Sequence, residues 1–91
     1  MQIRVSKRAF KDLETLYTLI YGDKPTVAEK FKKSLIDFIN LLKDNPHMGR
    51  EHKSDNQKVY RVLVYKKNYI IIYKVYTNYI MINSIKNTKK G

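Results

Sequence analysis

Between Tyr60 and Ile85 the chain reads YRVLVYKKNYIIIYKVYTNYIMINSI, dense in Val, Ile and Tyr. Two polar breaks interrupt it, at Lys66-Lys67-Asn68 and at Thr77-Asn78. β-Branched and aromatic residues at this density, punctuated by short turns, predict three antiparallel strands joined by two hairpins. A meander of this kind needs an apolar cover on one face, so the preceding residues are expected to supply it.

They have the pattern to do so. Ala9, Phe10, Leu13, Leu16, Tyr17 and Ile20 recur at spacings of three and four, which predicts an amphipathic helix over 7–21. Ser6 stands at its N-cap, and Gly22-Asp23-Lys24-Pro25 ends it. Thr26 and Glu29 have the spacing of a capping box, opening a second helix that runs to about Lys43. Its apolar stripe is Val27, Phe31, Leu35, Phe38, Ile39 and Leu42, widened by Ala28, Ile36 and Leu41. The short link makes the two helices an antiparallel hairpin. Gln2 to Val5 alternates weakly and reads as a short edge strand. Asp44 to Gln57 has no periodicity and reads as a loop, whose order without a partner is left open. The fold class expected is α+β: a two-helix hairpin on one face of a small antiparallel sheet, with residues 1–91 as one domain.

Turn length sets the faces of the sheet. A two-residue turn at Thr77-Asn78 sets Tyr73 opposite Ile82 and Val75 opposite Ile80. A two-residue turn at Lys67-Asn68 sets Val64 opposite Ile71 and Val62 opposite Tyr73. The core face is then Tyr60, Val62, Val64, Ile71, Tyr73, Val75, Ile80 and Ile82. The second face carries Arg61, Leu63, Tyr65, Ile70, Ile72, Lys74, Tyr76, Met81 and Asn83. A three-residue turn would bury Arg61, so the two-residue register is expected. In that register Arg61→Ala leaves the fold intact.

Charge narrows the function classes. The chain carries 19 Lys+Arg against 8 Asp+Glu, a net +11, and no acidic residue follows Asp55. Such an imbalance calls for an anionic partner: nucleic acid, ribosomal RNA or an acidic protein segment. With no cysteine, disulfides and thiolate metal sites are excluded. No apolar run reaches membrane-spanning length and the N-terminus has no signal-peptide core, so a cytoplasmic protein is expected. His47, Glu51 and His52 lack metal-site spacing, and no metal or cofactor is expected. Ser6 and Thr26 serve better as caps than as nucleophiles, and no glycine-rich phosphate loop is present. A basic sheet rich in tyrosine remains, able to bind and, with a suitable set of cations, to cleave RNA without metal.

The order of strand, helix hairpin, loop, meander and basic tail carries local patterns: SKRAFKDL, LLKDNPHMGR, VYRVLV and YIIIYKV. Together they resemble the RelE/ParE superfamily of toxins from type II toxin–antitoxin systems, known for plasmid stabilisation. The resemblance spans nearly the whole chain. It implies a cognate antitoxin whose acidic segment wraps the toxin in a hetero-oligomer. The RelE-like branch cuts mRNA on the ribosome with five side chains, two basic residues on the first meander strand, an Arg opening the second, and an Arg and a Tyr near the C-terminus, of which only the first has a counterpart here, Arg61. Leu63, Ile70 and Thr88 occupy three of the other places, and no tyrosine follows. Asn45 to Arg50, Arg61 to Leu63 and Tyr69 to Val75 look more like the ParE-like branch, which poisons DNA gyrase. That branch often has a His and Arg residues after the last strand, where this chain has Lys86, Lys89 and Lys90. The resemblance therefore implies a gyrase-type binder using Arg50, Arg61, Lys74, Lys86, Lys89 and Lys90. The alternatives are a ribosome-dependent ribonuclease built on Arg61, Lys74 and Lys89, or an inactive member.

Overall fold

A computed structural model describes residues 1–22 and 24–88, without the side chains of Ile20 and Tyr21. Asp23, Lys89 and Lys90, and the burial expected of Ile20, lie outside that description. The elements are β1 (Gln2–Val5), α1 (Lys7–Tyr21), α2 (Pro25–Asn40) with a 3-10 turn (Leu41–Lys43), β2 (Arg50–Lys53), β3 (Val59–Tyr65), β4 (Tyr69–Val75) and β5 (Tyr79–Asn87). One five-stranded sheet has the order β1-β5-β4-β3-β2, and the helix pair packs on one face of it.

The helices form where the periodicity places them. Ser6 caps α1 as expected: its Oγ accepts the Ala9 N–H at 3.0 Å and donates to the Asn83 carbonyl at 2.9 Å. The capping box at Thr26 does not form. Proline fixes φ in the helical range and suits the first helical position, so α2 begins at Pro25, one residue earlier. Glu29 instead accepts a hydrogen bond from the Tyr17 hydroxyl, tying α2 to α1.

Both edge strands of the sheet differ from expectation. β1 runs parallel to β5, pairing Ile3 with Ile80 and Val5 with Ile82, so the sheet is mixed. The stretch read as a loop contains β2, antiparallel to β3. Its residues, Arg-Glu-His-Lys, are all exposed and show no apolar alternation, which is why periodicity misses it. Charged side chains on an edge strand also discourage pairing with other chains.

The β4–β5 register is the expected one from Tyr73 to Val75. Beyond it a bulge sets Ile72 opposite Ser84 while Tyr73 faces Ile82, leaving Asn83 as the extra residue. Ile82 and Ile85 are consequently both buried on the helix side. The β3–β4 register is a correction. Tyr65 pairs with Tyr69, Leu63 with Ile71 and Arg61 with Tyr73, so the turn is Lys66-Lys67-Asn68, three residues long. Lys66 and Lys67 adopt left-handed φ of 48° and 65° to close it.

The aromatic residues account for this choice. In the observed register Tyr65 and Tyr69 both point to the helices. The Tyr65 ring packs 4.7 Å from Phe38, and the Tyr69 ring 4.8 Å from Phe31. A buried aromatic contributes more than the Val62 and Val64 it displaces, and the latter are half-buried and exposed. The core is therefore Leu35, Leu42, Leu63, Tyr65, Ile71, Tyr73, Ile80, Ile82 and Ile85 with their neighbours, and Tyr60, Val62 and Val64 face away from it. Each fully buried Leu or Ile contributes about 1.5–3 kcal/mol.

Candidate target-binding face

The observed register moves Arg61 to the helix side, beneath the segment that joins the 3-10 turn to β2. Its guanidinium donates to the Gly49 carbonyl at 2.7 Å and the His47 carbonyl at 3.3 Å, and lies 3.4 Å from Glu51 Oε2. The side chain is 19% exposed. The expected cost of burying this cation is met by those acceptors. Tyr73, fully buried, reaches the same segment from the next strand: its hydroxyl accepts the Gly49 N–H at 2.8 Å and donates to the Pro46 carbonyl at 2.9 Å. The Asn45 amide donates to the Leu41 carbonyl and closes the end of the helix. The NPHMGR stretch is thus an anchored corner, with Arg61 as its fastener. Arg61→Ala is expected to lose about 1.5–3 kcal/mol of stability, the range for hydrogen bonds to a charged group, as read by urea denaturation. This reverses the sequence-based expectation for that variant.

Among the described residues no helix covers the opposite face of the sheet. Cα pairing places Arg50 and Val62 together on it, and likewise His52 with Tyr60, Lys74 with Met81, Arg4 with Met81 and Ile70 with Lys86. None of the residues on these strands that point this way is Asp or Glu. Two aromatic stacks stand on it. The His52 and Tyr60 rings are 5.7 Å apart at 15°. The Tyr76 and Tyr79 rings are 4.7 Å apart at 13°, with Arg4 over Tyr79 at 4.4 Å and Lys74 over Tyr76 at 5.2 Å. Cations held over ring faces are partly pre-positioned while their charge stays available.

Of the site residues expected from sequence, Arg50, Lys74 and Lys86 share this open face, and Arg61 does not. Lys89 and Lys90 lie outside the described residues. The alternative nuclease set is not brought together: Arg61 and Lys74 lie on opposite faces of the sheet. Sequence reasoning missed Arg4, Lys58 and Tyr79. The signal for Arg4 was available, because it lies between Ile3 and Val5 in an alternating strand and must point away from them. Among the described residues no group of three His, Cys, Asp or Glu lies close enough together to hold a metal. No helix among them is long and apolar enough to cross a membrane.

Fold and face together define a small basic α+β domain whose sheet is covered by helices on one side and presents a basic, tyrosine-bearing face on the other. The model of the family "ParE toxin of type II toxin-antitoxin system, parDE" matches residues 3–90, and the chain belongs to that family. It is the toxin component of a type II toxin–antitoxin system. A solved chain from the chromosomal ParDE TA system of P. aeruginosa shares the fold, with a TM-score of 0.81. The two are 19% identical over 98% of this chain and 97% of that one. No match is found among curated proteins.

Proposed function

We propose that this toxin acts by binding and inhibiting an essential cytoplasmic target such as DNA gyrase, and that a cognate antitoxin neutralises it. The observation that carries this reading is the commitment of Arg61. The one side chain that corresponds to the ribonuclease set spends its donors on the Gly49 and His47 carbonyls, and Leu63 and Ile70 hold neither charge nor proton. Binding chemistry is left: Arg50, Lys74 and Lys86 on the open face.

The antitoxin has a fitting surface elsewhere. A groove of about 530 Å³ between β1 and the helix pair is lined by Ile3, Val5, Phe10, Leu13, Ile36 and Ile39. Phe10 is 57% exposed there although it belongs to the apolar stripe of α1. Apolar side chains in contiguous exposure mark a surface that a partner covers.

Induction of the toxin alone from a tight promoter is expected to stop growth and switch on the DNA-damage response while translation continues. Purified toxin is expected to inhibit supercoiling by gyrase. Early translation arrest with cleaved mRNA instead would transfer the function to the ribonuclease reading. Unimpaired growth would make this an inactive member. Co-expression of a small acidic protein encoded next to the toxin is expected to restore growth.

A further inference from the structure

The open face is more than a basic surface, because its charges surround a depression of base-compatible chemistry. Beside the His52–Tyr60 stack lies a trough of about 280 Å³, lined by Ser54, Lys58, Tyr60, Ile72, Lys74 and Asn83. Ile72 supplies an apolar floor. Tyr60, braced by His52, forms one wall. Lys74, seated over the Tyr76 ring, stands toward the other. Asn83, the extra residue of the bulge, brings an amide with both a donor and an acceptor. Lys58 is exposed at the rim.

We propose that this trough binds single-stranded nucleic acid, with a base laid over Ile72 against Tyr60 and the flanking phosphates held by Lys58 and Lys74. Aromatic platforms interleaved with cations are the general solution for single strands, since every base has a π-face and every nucleotide a phosphate. An acidic protein segment fits the charges, but the Tyr60 ring face beside the Asn83 amide, with its donor and acceptor, matches the plane and the edge of a base together. A duplex fits the charges too, yet its bases are already stacked and cannot enter. The inference stands apart from the identity of the toxin's target, because it concerns the purified toxin and an oligonucleotide alone.

Fluorescence anisotropy with labelled oligo(dT) and oligo(rU) of about 12 nucleotides tests it, against a duplex of equal length. A protein of this charge acting as a mere polycation favours the duplex, whose charge density is higher. The trough predicts the reverse order, with the single strand bound more tightly. Whichever oligonucleotide binds better tells whether the natural strand is DNA or RNA. Lys58→Glu and Lys74→Glu are each expected to weaken single-strand binding by about tenfold or more, while Lys11→Glu and Lys33→Glu on the helix side change it little. Lys58, Lys11 and Lys33 are exposed, so these variants keep the fold. A duplex preference overturns the proposal, as do equal losses for the trough and helix-side variants. The gyrase assay is scored separately: supercoiling inhibition without single-strand binding removes the trough and leaves the toxin's proposed target intact.

Discussion

Tyr73→Ala is expected to cost about 3–5 kcal/mol, the range for deleting a large buried aromatic. Total stabilities of small domains are about 5–15 kcal/mol, so at the low end of that range this variant keeps about 2 kcal/mol or less and is up to half unfolded. Tyr73 is fully buried, and its ring and hydroxyl do separate work. The ring fills the centre of the sheet's helix side. The hydroxyl holds the corner at Pro46 and Gly49 with one accepted and one donated hydrogen bond. Tyr73→Phe isolates the second contribution. It leaves the buried Gly49 N–H without its acceptor, at about 1–3 kcal/mol. Urea denaturation of the two variants separates packing from hydrogen bonding.

The same hydroxyl gives a pH signature. Burial pushes the Tyr73 phenol above its ordinary value of 10.0, although the Gly49 N–H and the Arg61 charge pull the other way. A raised folded pKa means the unfolded chain releases its proton first. The stabilisation is whole below pH 10 and is lost as the pH rises through the folded value. Wild type is expected to lose stability above about pH 10 more steeply than Tyr73→Phe, in which this phenol is missing.

Gly49→Ala is the second large effect. A Cβ at Gly49 falls 2.8 Å from both Cε1 and the hydroxyl oxygen of Tyr73. Neither partner can give way easily, because the ring is enclosed by the core and Gly49 is held on both sides, by Tyr73 through its N–H and by Arg61 through its carbonyl. Overpacking costs about 1–3 kcal/mol, and here it also strains the two hydrogen bonds that make the corner. A thermal shift of several degrees is expected, with loss of protection at residues 45–50 in hydrogen exchange. The glycine of the NPHMGR stretch is thus explained by close approach, with no role for a special backbone conformation.

What could be read from sequence divides along physical lines. α1 came with its bounds, because a periodic stripe between a serine cap and a Gly–Pro stop is a local signal. The Thr77-Asn78 hairpin followed from alternation on both flanks. The Lys66-Lys67-Asn68 hairpin did not, since lysine does not advertise a left-handed φ as glycine or asparagine would. The cue that could have decided it was the pair of tyrosines, Tyr65 and Tyr69, placed evenly about the turn and both needing cover. Arg61 was assigned to the open face by assuming that a cation has no partner under the helices. Its partners are backbone carbonyls at Gly49 and His47, which no residue letter announces. Consequently the candidate face kept Arg50, Lys74 and Lys86 and exchanged Arg61 for Arg4 and Lys58.

The parallel seam between β1 and β5 bears on how the toxin is born. Residues 2–5 find their partners only at 79–82, and Ser6 hydrogen-bonds to Ile82 and Asn83. Asp12, on the first helix, accepts the backbone N–H of Ile85. Chains emerge from the ribosome N-terminus first, so the opening strand and the first helix must wait for nearly the last segment to be made. Until β5 leaves the exit tunnel nothing joins β1 to β4, and neither the open face nor the trough is complete. A chain cut short before β5 lacks the seam that holds its first strand and first helix, so the fold is completed only at the end of synthesis.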